Sequence, residues 1–265
     1  MLSYQHIYHA GNLADVHKHA LLAWMLDYMT SKDKPLSFLE THAGRGLYRL
    51  DAAEALKTGE AAAGIGAMER RFAPDHPYRR ALDAVRRAEG PDAYPGSPRV
   101  AAALLRERDS LHLAELHPQE HAALERAMRG FAAKLHAADG FETAMSICPP
   151  TPRRGLLLID PSYELPGDYK AMPKRIAALH RKWNVGVIVL WYPILTDARH
   201  DEMLTALKAS DFPGSIRHEV RFPPAREGHR MVGSGIFVVN APFGFGEAAA
   251  HVATLFPEAD FGNGA

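Results

Sequence analysis

Apolar positions recur with helical spacing near the start of the chain, at Leu13, Val16, Leu21, Trp24, Met25 and Tyr28. Asn12 stands where an N-cap belongs and Asp15 follows three residues on. The pattern therefore predicts a helix from Asn12 that stops in the polar stretch Ser31-Lys32-Asp33-Lys34-Pro35. Short apolar runs bounded by turn residues predict strands at 36–41, 111–116, 133–137, 155–159, 185–192, 217–222 and 234–239. Helical spacing returns at 99–108, 118–129, 169–182 and 201–209. Strands alternating with helices predict an α/β fold, a largely parallel sheet covered on both faces. Only the loop 223–233 separates the last two strands, so an antiparallel pair is expected there.

One stretch breaks this rhythm. A nucleotide-binding α/β fold places an acidic ribose partner roughly 20 residues after its glycine-rich turn. Here Glu115 ends its strand far beyond Gly46, whereas the spacing from Ser97 to Glu115 suits one helix and one strand. An insertion of about residues 47–95 accounts for the difference. Its segments 51–56 and 68–87 read as helical. The expected organisation is a body of residues 1–46 and 96–265, with an N-terminal helical extension, and an inserted helical subdomain of residues 47–95.

Composition adds mostly exclusions. The 265 residues are 47% hydrophobic and 23% charged, as in ordinary globular proteins. No apolar run approaches the ~18 residues of a membrane span. The start Met1-Leu2-Ser3-Tyr4-Gln5-His6 carries neither a cationic nor an apolar stretch, so no signal peptide and a cytoplasmic location are expected. Cys148 is the single cysteine, which excludes a disulfide framework and a cysteine-based zinc site. Of the 15 histidines, His6, His9, His17 and His19 crowd the N-terminus, yet clustered carboxylate or thiolate co-ligands are lacking, so no metal is expected. Lys plus Arg and Asp plus Glu number 31 each. That balance argues mildly against a nucleic-acid partner, since phosphate binding usually leaves an excess of cations.

Two motifs carry chemistry. The turn Glu40-Thr41-His42-Ala43-Gly44-Arg45-Gly46 follows a predicted strand, the context in which paired glycines let the backbone approach a ligand. Glu115 could accept from two ribose hydroxyls, and Asp139-Gly140 could hold an adenine edge; in this order they favour a nucleoside ligand. The second motif is Asp160-Pro161-Ser162-Tyr163-Glu164, at the end of another predicted strand. The amine of adenine is a poor nucleophile because its lone pair is delocalised into the ring. Asp160 and the Pro161 carbonyl could accept both amine hydrogens, and Tyr163 could stack on an extruded base, an interaction of roughly 1–3 kcal/mol.

Glycine turn, ribose acid and an Asp-Pro-x-Tyr motif in this order resemble the Rossmann-like, S-adenosylmethionine-dependent adenine-N6 methyltransferases. More narrowly, the chain resembles the RlmJ family of bacterial 23S ribosomal RNA adenine-N6 methyltransferases. The likeness covers nearly the whole chain. It begins with Met1-Leu2-Ser3-Tyr4, His9-Ala10-Gly11-Asn12, Ala14-Asp15-Val16 and Lys18-His19. It continues through Thr41-His42-Ala43-Gly44, Tyr94-Pro95-Gly96-Ser97-Pro98, Glu115-Leu116-His117-Pro118 and Ala138-Asp139-Gly140-Phe141. Arg153-Arg154-Gly155, Asp160-Pro161 with Tyr163-Glu164, and Leu190-Trp191-Tyr192-Pro193 complete it. The resemblance implies a Rossmann-like methyltransferase sheet with an antiparallel last strand. It implies S-adenosylmethionine contacts from His19, His42, Ser97, Glu115, Asp139, Gly140 and Asp160. It makes Asp160 the catalytic residue, with Tyr4 meeting the RNA. Ser97 is expected to cap the helix after the insertion and offer a hydroxyl to the cofactor carboxylate; Lys18 could add positive charge near that carboxylate, though a solvated lysine on its helix is the favoured reading. The expected partner is 23S ribosomal RNA, free or early in assembly, with the chain acting as a monomer.

One residue departs from the family pattern: Ser162 stands where a second proline is usual, which restores a backbone donor and loosens the turn. The chemistry alone leaves open a DNA adenine-N6 methyltransferase, or an inactive nucleoside- or RNA-binding module. The inserted pairs Arg70-Arg71, Arg79-Arg80 and Arg86-Arg87 are accompanied by as many acids and read as solvated helix faces. The loop carrying Arg226, His229 and Arg230 is the better candidate for RNA contact.

Overall fold

Asn12 caps the first helix through its side chain, Oδ1 accepting from the Asp15 backbone N–H at 2.9 Å. The computed structural model describes residues 6–164, 166–225 and 228–257. In chain order its first half contains α1 (Leu13–Thr30), β1 (Ser37–Glu40), β2 (Leu47–Arg49), α2 (Ala53–Thr58), α3 (Pro77–Glu89), β3 (Ala93–Pro95), α4 (Ser97–Leu104) and β4 (Ser110–Ala114). There follow α5 (Pro118–Ala127), β5 (Ala133–His136), α6 (Gly140–Ile147), β6 (Gly155–Ile159), α7 (Pro166–Lys182) and β7 (Val187–Leu195). The described chain closes with α8 (His200–Ala209), β8 (Ile216–Arg221), β9 (Met231–Val239) and α9 (Phe245–Thr254).

The main sheet has the order β5-β4-β1-β6-β7-β9-β8. β1 pairs in parallel with β4 and β6, and all four of its residues are buried, as both-face coverage demands. β9 slots between β7 and β8 and runs antiparallel to both. This is the α/β fold expected, with the antiparallel strand at the expected end. One face is covered by a core drawn from α1, α4, α5 and α9, and the other by residues of α6, α7 and α8.

α1 is unusual in being buried nearly all round, including Asp15, His17, Lys18 and His19. A helix with no free face is a central element, and each polar group it buries must find a partner. His17 shares contacts with Ser234 Oγ at 2.9 Å and His218 Nδ1 at 3.0 Å. His19 Nδ1 lies 3.0 Å from the Tyr94 hydroxyl.

The region 47–95 differs in detail from a helical reading. Its two ends are tied together by β2 and β3, which pair antiparallel with Leu47 opposite Pro95. Between them the expected 68–87 helix is broken: a short 3-10 turn covers Glu69–Arg71 and α3 starts only at Pro77. Pro74 and Pro77 enforce the break, since proline lacks the helical donor and is tolerated in a first turn. Tyr78, Leu82, Phe72, Ile65 and Met68 then join the core around α1.

Ser97 does not cap α4. The N-cap is Gly96, without a side-chain bond, and Ser97 is the first helical residue, with its hydroxyl donating to Glu40 Oε1. Two helices carried no clear sequence signal, α6 and α9. α6 starts against the end of β1 at Gly140, where a Cβ would stand 1.8 Å from the Thr41 carbonyl oxygen. Gly140→Ala is therefore expected to lower the thermal midpoint by several degrees, since overpacking a rigid contact costs about 1–3 kcal/mol or more. Differential scanning calorimetry checks this, and an unchanged midpoint would show that the start of α6 can shift freely.

Candidate active site

The carboxyl ends of β1, β4, β5, β6 and β7 meet at one edge of the sheet, where α/β folds bind ligands. A cavity of about 530 Å³ opens there beneath α1. It gathers nine residues singled out from the sequence: His19, His42, Ser97, Glu115, Asp139, Gly140, Asp160, Pro161 and Tyr163. Tyr4 and Arg226 lie outside the described residues. Arg230 does not line the cavity, although its neighbours His229 and Met231 do; its guanidinium is paired with Asp197, which also holds Arg199.

Chain direction places each group. Gly44 adopts a positive φ of 59° as the chain leaves β1, turning its N–H onto Glu115 Oε2 at 2.8 Å. The other Glu115 oxygen accepts from the His117 N–H at 2.7 Å. Burial pushes the Glu115 carboxyl above its ordinary value despite these donors. Asp139 caps α6, its Oδ1 accepting from the Phe141 and Glu142 N–H groups at 2.9 Å each. His42 hydrogen-bonds to the Thr41 hydroxyl at 2.7 Å and meets Phe141 edge-on. Burial depresses His42 to about 4 and His19 to about 3, so both rings are neutral at neutral pH.

The Asp160 turn is held from two sides. On one, Lys18 Nζ donates to Asp160 Oδ2 at 2.6 Å and lies 3.0 Å from Asp15 Oδ1. The solvated lysine read from the sequence is thus replaced by a side chain only 5% exposed. Burial works against its charge, but Asp160 and Asp15 outweigh it and raise the ammonium pKa. Asp15 itself is held well below the carboxylate range, because His6 and Lys18 together overcome its burial. On the other side, the Tyr163 hydroxyl donates to the Trp191 carbonyl at 2.8 Å. Tyr163 takes a positive φ of 54°, uncommon for an aromatic residue, and packs on Tyr169 with ring centroids 4.4 Å apart. Trp191 in turn donates its Nε1–H to Ser234 Oγ at 2.9 Å and lies 5.2 Å from Lys18 Nζ.

Glu40 and Trp191 are site residues to which sequence reasoning gave no role, and Lys18 is one that it favoured as solvated. Lys18 carried a signal in Asp15-x-x-Lys18, an ion pair one helical turn apart, and Glu40 closes the strand before the glycine turn. Beneath the cavity, Glu40 accepts from Ser97, and its Oε2 is buried with no hydrogen-bond partner among the described residues. Burial raises its carboxyl to about 8.

With this geometry in place, comparison with known proteins is decisive. Residues 33–259 match the family described as Ribosomal RNA large subunit methyltransferase D, RlmJ. The chain belongs to the RlmJ family. Among its relatives, the Ribosomal RNA large subunit methyltransferase J of Escherichia coli (strain K12) is 37% identical over 92% of this chain and 88% of that protein. The Haemophilus influenzae protein of the same name is 34% identical over the same shares. A crystal structure of a Legionella pneumophila protein superposes with a TM-score of 0.83 at 34% identity, covering 93% of this chain and 92% of that one. A probable spermidine synthase from Corynebacterium glutamicum, 10% identical with a TM-score of 0.51, shares the fold alone over 90% of this chain and 70% of its own.

Two outcomes follow for this RlmJ-family chain. Lys18→Met leaves Asp15 and Asp160 facing one another without their cation, and breaking a buried pair this way costs about 3–5 kcal/mol. Urea denaturation should show that loss; a wild-type midpoint would mean that the pair contributes no net stability. Glu40 keeps its proton in the folded state up to about pH 8 but loses it near its ordinary value when unfolded. Its contribution is therefore fully present at low pH and is lost as pH rises through that window. Glu40→Gln should gain stability relative to wild type from about pH 5 to about pH 8 and level off above. A flat difference between the two proteins would show that Glu40 is ionised.

Proposed function

We propose that the protein transfers the methyl group of S-adenosylmethionine to the exocyclic N6 amine of an adenosine in 23S ribosomal RNA. The observation that carries this reading is Asp160-Pro161-Ser162-Tyr163 at the end of β6, anchored by Lys18 and opening onto the same cavity as Gly44, Glu115 and Asp139. Membership of the RlmJ family and the names of its relatives support ribosomal RNA as substrate.

The residues present fit the methyl donor. Glu115, pinned by two backbone donors, offers a carboxylate of fixed orientation for ribose hydroxyls. Gly44 leaves a cradle that a Cβ would close, 2.8 Å from the Tyr48 hydroxyl. Neutral His19 and His42 add hydrogen-bonding groups without repelling a sulfonium. When bound, S-adenosylmethionine supplies an electrophilic methyl group.

The protein's part is position and electrostatics. Asp160 and the Pro161 carbonyl accept the two amine hydrogens and favour a pyramidal nitrogen. Tyr163, fixed by its bond to the Trp191 carbonyl, offers a rigid ring face for the extruded base. A strong general base is unnecessary, because the nitrogen becomes acidic as it acquires the methyl group. Lys18 donates to Asp160 and keeps it aimed. Residues 1–46 and 96–265 form the methyltransferase body in this reading and 47–95 an inserted helical unit over α1. The same reading has the protein act in the cytoplasm as a monomer, with Tyr4 and the loop of Arg226 and Arg230 beside the RNA.

Labelled S-adenosylmethionine, with no metal added, is incubated with unmodified 23S RNA, 16S RNA and duplex DNA, and the labelled nucleotide is mapped. Label is expected at N6 of an adenosine in 23S RNA alone, and Asp160→Ala is expected to abolish it. Label in DNA only, or wild-type turnover by the variant, overturns the proposal.

A further inference from the structure

An enzyme that draws one base out of an RNA must hold the strand on either side of it, and phosphate contacts supply most of that grip. With no net charge to spread over the surface, the grip must come from a local field. Most of the arginines in the inserted unit are matched: Arg79 with Asp83 and Glu69, Arg86 with Glu69, and Arg80 with Asp27. Arg199 and Arg230, which do not line the cavity, share Asp197.

α7 is different. It leaves the Asp160 turn and supplies one wall of the cavity through Asp168, Tyr169, Met172 and Arg175. Its exposed side carries Lys170, Lys174 and Arg181. At i, i+4 and i+11 these fall within about 40° of one another around the helix and span about 16 Å of its axis. None of the three has an ion-pair partner among the described residues. Uncompensated like charges one turn apart repel slightly, so an anion that meets both is favoured there. Arg175 lies on the cavity side of α7, about a third of a turn round from the row, where it lines the rim 3.9 Å from the centre of the Phe141 ring.

We infer that the outer face of α7 carries the RNA strand flanking the target nucleotide, with Lys170, Lys174 and Arg181 binding its phosphates and Arg175 guiding it into the cavity. This rests on the reading of the substrate as RNA. The row is long enough to meet several phosphates of one strand, and its cavity end adjoins the Asp160 turn.

The test measures binding of unmodified 23S RNA against salt concentration for wild type and for Lys170→Gln/Lys174→Gln/Arg181→Gln. Losing three phosphate contacts should reduce the slope of log affinity against log salt by about two and raise the KM for RNA. Affinity for S-adenosylmethionine and the thermal midpoint should stay as in wild type. The charge-keeping Lys170→Arg/Lys174→Arg variant should retain the wild-type slope, and Arg70→Gln/Arg71→Gln/Arg87→Gln, an equal charge loss on the inserted unit, should leave it nearly unchanged. A wild-type slope and KM in the α7 triple variant overturn the inference while leaving the function standing. Equal losses from both triple variants overturn it too, because they show a diffuse charge effect. If wild-type protein neither binds nor methylates RNA, the functional reading itself falls.

Discussion

Everything at the cavity depends on one buried cation. Lys18 stands between Asp15 on its own helix and Asp160 on the sheet, in a space too dry for any of the three charges alone. Burial disfavours a lone ammonium there, and the two carboxylates outweigh that cost. Each of the three groups fixes the place of the others. The triad sets how close α1 must lie to the edge of the sheet, and so how deep the cavity is. It also explains why so polar a helix tolerates burial: Asp15, His17, Lys18 and His19 each answer to a group on a different element.

The remainder of the site is built largely from backbone. Glu115 is oriented by two main-chain donors, Asp139 by the start of α6, and Tyr163 by a main-chain carbonyl on β7. These main-chain partners orient the side chains before any ligand arrives. Mobility is left to the side chains that reach outward, such as the lysines of α7.

Local features of the sequence announced much of this. The five-residue apolar run before Asp160 coincides with β6, and Asn12 caps α1 through the bond its residue type implies. Cavity residues that end a strand or follow a glycine turn were legible, because the fold class alone brings strand ends together. What stayed hidden depends on distance along the chain. Lys18 looks solvated until Asp160, 142 residues away, comes beside it. Ser97 resembles a cap until Glu40 takes its hydroxyl. α6 escaped because it is short and rests on a close backbone approach, which no periodicity records. The even balance of charges hides where charge lies: four acids of residues 47–95 pair with arginines of the same segment, and the exposed cations of α7 vanish in the sum.

The position of α1 has a consequence for how the molecule comes into being. Its neighbours are supplied by Glu60, Tyr94, Asp160 and Ser234, so the contacts that close the cavity join segments from 48 to 217 residues apart. Contacts of such span form late, because the chain entropy of closing them must be overcome before they reward it. α1 packs on α3 and α4 from the first half of the fold and on β9 and α9 from the second. Its seat, and the cavity with it, is finished only when the two halves close on that one helix.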